Sequence, residues 1–495
     1  MGMVLNTNIG AIQAQRAITE AREEMESAME RLSTGKRINS AADDAAGLAM
    51  IERMNSQIRG LTMATKNAND GIALIRTVEN ALVEVSGMLQ RMRELAVQSA
   101  NATNSATERA FANNELNQLQ LEISRVSANT RYNGTQVLNG TFSAKALQVG
   151  TMSGEEINFT IDSVESSLLG AYVMVGENNL GAYAAGASSA FSTTANTTDD
   201  ADDITIVGNG NTRVIDIADN DSAKDLAKKI NSVAGATTVF AQARTYANLA
   251  SANATAENYQ VTINGTQTAA FSISSNDVSD AVSKINAIFA TTGVMASATT
   301  ENKVLLTDAD GDDIQITNGS SGTSLRVQAV ENDGVTAQTA TAISLAANGG
   351  NDTSQVVGTL RLSSSSGFTV TQTNGSADTF FADGTATAAL ESVGVIDIST
   401  QIGASYSIAT IDGALERVSG MRGSLGTLQN RLDYSVSNLM KVTEYTIGAR
   451  SRIEDADFAA ETSRLAKAQV LQQAGASMLS QANASTEIVL QVLRG

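Results

Sequence analysis

Apolar residues recur at steps of three and four along long stretches at both ends of the chain, the spacing of one face of an α-helix. Ile18, Ala21, Met25, Ala28 and Leu32 form the first stripe, and Ser33-Thr34-Gly35 supplies a helix stop. After the polar INSAADDA stretch a second periodic region runs from about Ala45 to Ala102 without a clear break. At 1.5 Å per residue it predicts a rod of roughly 85 Å, far longer than a typical globular helix. NATNSAT at 101–107 ends it, and a shorter helix follows through Leu116, Leu119, Ile123 and Val126. In the other terminal region, Leu425, Leu428, Leu432, Ser435, Leu439, Val442 and Thr446 form one seam. Ala468, Leu471, Gly475, Met478, Ala482, Ser485, Val489 and Val492 form another, whose small residues let helix backbones approach closely. Seams at opposite ends of a chain predict that the termini pair in an antiparallel bundle, with the middle looped out as an insertion.

Within LQRMRELAVQSAN, 89–101, Leu82, Val85, Leu89, Met92, Ala96 and Ser99 line one seam. Arg91 and Leu95 then stand one turn apart on a different face, which calls for a second role. From about 130 to 404 the pattern shortens to alternating runs among Gly, Ser, Thr, Asn and Ala. VTINGT and VLLTDADGDDIQIT read as hairpin strands. The stretch 221–243 aligns without gaps on 276–298. The offset of 55 residues matches Asp225 with Asp280, Lys229-Ile230-Asn231 with Lys284-Ile285-Asn286, and Ala243 with Ala298. The same offset places Asn209-Gly210 on Asn264-Gly265, so each unit reads as strand, turn, strand, one helix, then strands.

The net charge of −19 argues against nucleic acid or an anionic membrane as the main partner. Residues 151–400 hold 9 basic and 28 acidic residues, while the flanking regions are balanced, so the middle carries all of the excess. Neutral ends suit dense packing against copies, and an acidic middle suits solvent. The absence of Cys and His removes disulfides, thiolates, the usual general base and the commonest metal ligands. The absence of Pro is compatible with long unkinked helices and equally with a compositional bias. No run of 18 apolar residues and no charged start followed by an apolar stretch occurs. The expectation is therefore neither a membrane-inserted chain nor one with a cleaved signal.

RLSTGKRINSAADDAAGLAM (31–50), NANDGIALI (67–75), QRMRELAVQSAN (90–101), SRIEDADFAAE (451–461) and QANAS (481–485) resemble the terminal signatures of bacterial flagellins. The resemblance covers roughly 1–165 and 405–495, and the 55-residue repeat is similar to an insertion motif found in many flagellins. It implies an α+β multidomain fold whose N- and C-terminal helices pair into a coiled-coil or helical-bundle core, with a β-rich α+β insertion in the middle. The implied domains are D0 over 1–43 and 453–495, D1 over 44–170 and 405–452, and a surface-exposed D2/D3 over 171–404. It also implies a non-enzymatic, cofactor-free subunit that polymerises with itself into the extracellular filament used for swimming. Secretion through the flagellar type III apparatus, with an export chaperone and a cap protein as partners, is implied too.

The corresponding expectations name residues. Ile18, Met25, Leu32, Leu471, Met478, Val489 and Val492 pack the D0 helices, and Leu82, Val85, Leu89, Met92, Leu425, Leu432 and Leu439 form the D1 core seam. Arg91, Leu95 and Glu115 match the flagellin surface recognised by the vertebrate innate receptor TLR5. Their first expected duty is contact between subunits. In DADGDD, Asp308, Asp310, Asp312 and Asp313 begin like a calcium loop. The sixth position is Asp313 rather than Gly and the twelfth is Gly319 rather than Glu, so a solvated hairpin turn is the better reading and no metal is expected. The Asn-x-Ser/Thr triplets at Asn133, Asn139 and Asn264 are expected by chance in so Asn-rich a chain. Two alternatives stay open, a hook-filament junction protein and an adhesive or glycan-binding insertion. An HExxH zinc protease does not, because the chain contains no His.

Overall fold

The computed structural model describes residues 7–176, 203–218, 221–253, 255–320, 323–337, 342–347, 352–372, 380–381 and 384–485. It also describes the backbone, without side chains, of 182–185 and 486–494. The helices are α1 (Ile9–Thr34), α2 (Ala45–Ala100), α3 (Ala106–Asn129), α4 (Ala223–Ser232), α5 (Ala234–Thr237), α6 (Ser279–Asn286), α7 (Phe289–Thr292), α8 (Gln401–Glu454) and α9 (Phe458–Arg494). The chain divides into two compact units. The first comprises Met1–Ile75, Ala144–Phe159 and Gly426–Gly495, and the second Arg76–Ser143 and Thr160–Leu425. Helices α2 and α8 contribute residues to both.

In the first unit α1 and α9 lie antiparallel. Asn8 caps α1, its Oδ1 accepting from the Ala11 amide at 3.0 Å, and its Nδ2 donates to the Ala482 carbonyl at 3.0 Å. Gly35 ends α1 in the left-handed region at φ 70°, which a residue without Cβ adopts at little cost. The two interhelical linkers then meet. Lys36 and Asp455 form an antiparallel bridge, the Arg37 amide donates to the Glu454 carbonyl at 2.6 Å, and the Ala456 amide donates to the Gly35 carbonyl at 3.0 Å. Charges close around this joint. Lys36 Nζ lies 2.6 Å from Glu454 Oε1, and Glu461 Oε1 lies 2.9 Å from Arg464 Nη1 and 3.5 Å from Arg31 Nη1. Further along, Leu61, Ala64 and Leu439 pack together with Val442, joining α2 to α8.

The second unit holds the β-rich middle, whose named strands all pair antiparallel. Its largest sheet runs Val294–Ala298, Val304–Asp308, Phe240–Ser251, Thr359–Ser364, Gly170–Val175, Ala389–Ser392, with Leu325–Ala329 also paired on Phe240–Ser251. A four-stranded sheet follows the order Gly384–Thr387, Phe368–Gln372, Ile204–Gly208, Asn211–Ile215. The 55-residue repeat is a repeat of structure. Asn209-Gly210 and Asn264-Gly265 both turn with positive φ, 50° and 72° in the first and 45° and 78° in the second. Helices α4 and α6 follow at equivalent places, each trailed by a four-residue helix, α5 or α7, that the periodicity did not reveal. Asn231 Nδ2 donates to the Ala241 carbonyl at 2.9 Å, and its Oδ1 accepts from the Ala241 amide at 2.8 Å. Asn286 repeats both bonds with Ala296, at 2.9 and 2.7 Å. Leu226 and Ile230 of α4 bury into one core with Ile204, Leu360 and Phe368, and Ala281 and Ile285 of α6 into a second with Val261, Leu306 and Ile316.

The hairpin expected in VLLTDADGDDIQIT is a correction. Val304–Asp308 pairs with Val294–Ala298 and Phe240–Ser251, whereas Ile314–Asn318 pairs with Val261–Ile263 and Thr353–Val356 in another sheet. DADGDD is therefore a corner between sheets. Asp308 is buried, its Oδ1 accepting from the amides of Asp310 and Gly311 at 3.0 and 3.1 Å, and burial raises its pKa. Lys224 Nζ sits 2.6 Å from Asp312 and 3.2 Å from Asp310, and its pKa is pushed up to about 12, chiefly by the Asp312 hydrogen bond. Among the described residues no group of three or more acidic side chains is arranged to hold a metal.

Candidate subunit-contact surface

The candidate surface in the second unit is built on α2 and α3. Leu82, Val85, Leu89 and Met92 are fully buried and Ala96 with them, which fixes the rotation of α2 and turns Gln90, Arg91, Arg93, Glu94 and Val97 outward. Helix α3 is started by a capping box. Ser105 Oγ accepts from the Glu108 amide at 3.3 Å, and Glu108 Oε2 accepts from the Ser105 amide at 2.7 Å, which lowers the Glu108 pKa. Its inner face buries Leu116, Gln120 and Ile123. Gln120 Nε2 donates to the Val393 carbonyl at 2.7 Å, and Asn113 Oδ1 accepts from the Ile398 amide at 3.1 Å, so α3 is docked on the segment leading into α8.

This framework brings Arg91 and Glu115 together. Arg91 Nε donates to Glu115 Oε1 at 2.8 Å and Nη1 to Glu94 Oε2 at 2.9 Å, with all three side chains about half exposed or more. The two carboxylates, Glu115 first, hold the guanidinium even more firmly protonated than usual. Beside it Arg93 Nε donates to Asp412 Oδ1 of α8 at 2.6 Å. Leu95 is the exception and a correction: it is only 2% exposed and does not share the open face of Arg91. Helix α2 is covered over a wider arc than a single seam, so Leu95 turns inward beside Ala96. The exposed apolar residues of this region are instead Phe111 at 69%, Leu121 at 65%, and Val97 at 49%. Phe111 lies one turn before Glu115 on α3. Its four-residue spacing from Glu115 was the available signal in the sequence.

In the first unit the paired terminal helices leave much apolar surface uncovered. Ile18, Met25 and Leu32 of α1 are half-buried, and Ala21 and Ala28 are buried between them. On α9 the covered stripe runs Glu461, Leu465, Ala468, Gln472, Gly475, Leu479 and Ala482. Gly475 lies so close to α1 that an added Cβ would stand 2.8 Å from Ile18 Cγ1. Leu471 and Met478, expected in this seam, are 45% and 64% exposed. Two stripes of three-four spacing share Ala468, Gly475 and Ala482, and α1 covers the one that omits Leu471 and Met478. The side chains of Val489 and Val492 lie outside the described residues. Leu425, Leu432 and Leu439 of α8 are buried. No helix among the described residues is long and apolar enough to cross a membrane.

Two terminal arms that pair and expose apolar stripes, with a β-rich middle inserted between them, define an assembly subunit. Residues 5–143 match the bacterial flagellin N-terminal helical region and 408–493 the C-terminal helical region. The chain is 35% identical to a B-type flagellin of Pseudomonas aeruginosa and 32% identical to flagellin B of Vibrio cholerae, over 100% of this chain and 100% of each relative. The chain is also similar to a solved structure of FliC from Burkholderia pseudomallei, at 18% identity over 73% of this chain and 99% of that one, with a TM-score of 0.30. The chain belongs to the bacterial flagellin family. It is a structural subunit of the filament and not an enzyme, and the filament this family forms is extracellular.

Proposed function

We propose that this chain polymerises through its α-helical arms into a swimming filament, after export through the flagellar type III apparatus with the help of a chaperone and a cap protein. The domains follow the division into 1–43 with 453–495 as inner core, 44–170 with 405–452 as outer tube, and 171–404 as the solvent-facing insertion. The observation that carries the reading is the uncovered stripe of the arms. Ile12, Val470, Leu471 and Met478 are all at least 45% exposed, on helices whose buried apolar contacts with each other are the small residues Ala21, Ala28 and Ala468. Such a pair buries little apolar area by itself, and the remaining stripe is covered when copies stack head to tail. Replacing Leu471 and Met478 together by Gln tests this. The monomer's circular dichroism stays unchanged and seeded elongation is lost; normal elongation would refute the assignment.

The Arg91–Glu115 pair with Glu94 is the second contact surface, buried between subunits in the polymer and open to TLR5 once a subunit is released. Its electrostatic geometry and the exposed Phe111 support this use, with Leu95 acting only by holding α2 in place. Arg91→Ala lowers receptor signalling by monomeric protein, read in a reporter cell line. An unchanged dose response would remove the receptor role while leaving assembly untouched.

A further inference from the structure

Helix α8 crosses the face of the large sheet, and near its start the two are fastened together. The Arg361 guanidinium lies 4.5 Å from the centre of the Tyr406 ring and donates to Glu391 Oε2 at 2.6 Å, and Arg244 Nη2 donates to Ser405 Oγ at 2.8 Å. One to three turns further on, the same helix and the same sheet face part to form a cleft of 410 Å³. Phe240, Gln242 and Ser363 line it from the sheet, with Phe240 directly opposite Ser363 in register. Ile408, Ala409, Asp412, Gly413 and Glu416 line it from the helix.

The residue choice keeps this cleft open. Alternate residues Ala241 and Ala243 are buried in the core below, so Phe240 and Gln242 stand on the opposite face, where Phe240 remains 56% exposed. Beyond Ile408 and Ala409 the helix presents Asp412, Gly413 and Glu416 to the cleft, and an added Cβ on Gly413 would stand 2.7 Å from Ala171 Cβ, so the helix already sits as low as the floor allows. Asp412 is held in place by Arg93, at 2.6 and 3.4 Å from its two oxygens, which neutralises its charge. Glu416 makes no ion pair among the described residues.

An uncovered aromatic face, an amide, serine hydroxyls and two carboxylates, one of them already neutralised, suit a ligand that is itself a ring of C–H faces rimmed by hydroxyls. We propose that this cleft binds a neutral saccharide, with Phe240 stacking on the pyranose face and Gln242, Glu416 and Asp412 hydrogen-bonding its hydroxyls. A free cation would gain less, since Arg93 cancels one carboxylate. An acidic sugar would meet the remaining one. The cleft borders the candidate contact surface through the Arg93–Asp412 pair, so its binding is tested on the monomer.

Saturation-transfer NMR and calorimetry on the full chain as monomer, with chitotriose, lactose and sialyllactose as saccharide probes and argininamide as the cationic probe, test the proposal. Expected is weak saturable binding of at least one neutral saccharide, stronger than sialyllactose. Affinity falls roughly tenfold or more in Phe240→Ala, as for loss of a stacking partner, and drops in Glu416→Gln. Val214→Ala, at an exposed apolar position outside the cleft, leaves it unchanged. Circular dichroism establishes that the variants are folded. Binding of argininamide alone, no saturable saccharide binding, or binding indifferent to both cleft variants overturns it.

Discussion

Asn231 and Asn286 each extend the sheet by one side chain, giving and taking a hydrogen bond with the backbone of Ala241 and Ala296. Their replacement by Ala strands a backbone donor and acceptor, so each variant loses about 1–3 kcal/mol in urea unfolding of the insertion. A loss at one position only would show that the two repeats are not equivalent. Asp308 gives a pH signature. Its folded pKa is raised by burial, so the folded state binds a proton the unfolded state has released. Its penalty is absent below the ordinary aspartate pKa and develops as pH rises toward the folded value. Asp308→Asn keeps the Oδ1 acceptor, and is expected to raise thermal stability at pH 7 but not at pH 3. The matched KIN triplets exposed the repeat in the sequence, but not the purpose of the Asn, since a side chain paired with a backbone ten residues away leaves no local pattern. Arg91 with Glu115 was named through the flagellin resemblance and the expected antiparallel course of α3; the burial of Leu95 was not legible, because it depends on what else packs around α2.

Helix positions were readable from periodicity, and helix faces less so. Gly35 and NATNSAT end α1 and α2 where stop signals stand, whereas the α9 stripe through Leu471 and Met478 was indistinguishable from the one α1 covers. Only the partner's position decides between them. Strand partners behave likewise: alternation identified Val304–Asp308 and Ile314–Asn318 as strands, but the chain turns a corner between them instead of a hairpin. Gly475→Leu puts a side chain where Ile18 stands, so it splays α1 from α9 and abolishes seeded elongation. Normal elongation would mean the close approach is dispensable. Ser105→Ala removes one half of the α3 capping box. It lowers the melting temperature of the second unit, and an unchanged melt would show that α3 is held by its docking on Val393 and Ile398 alone.

For the whole molecule, charge and assembly divide along the chain. The excess acid lies within 151–400, away from the neutral arms that copies must bring together. A chain in which a short Gly/Ser linker replaces 171–404 is therefore expected to polymerise. A folded deletion protein that stays monomeric would end this division of labour. The join needs flexibility, because the strand Gly170–Val175 and helix α8 both run across its ends. The exposed stripes of the arms are expected to drive indefinite stacking. Negative-stain electron microscopy of the purified full chain after seeding tests it most directly. Long filaments of uniform width are predicted; discrete rings or persistent monomers would contradict it.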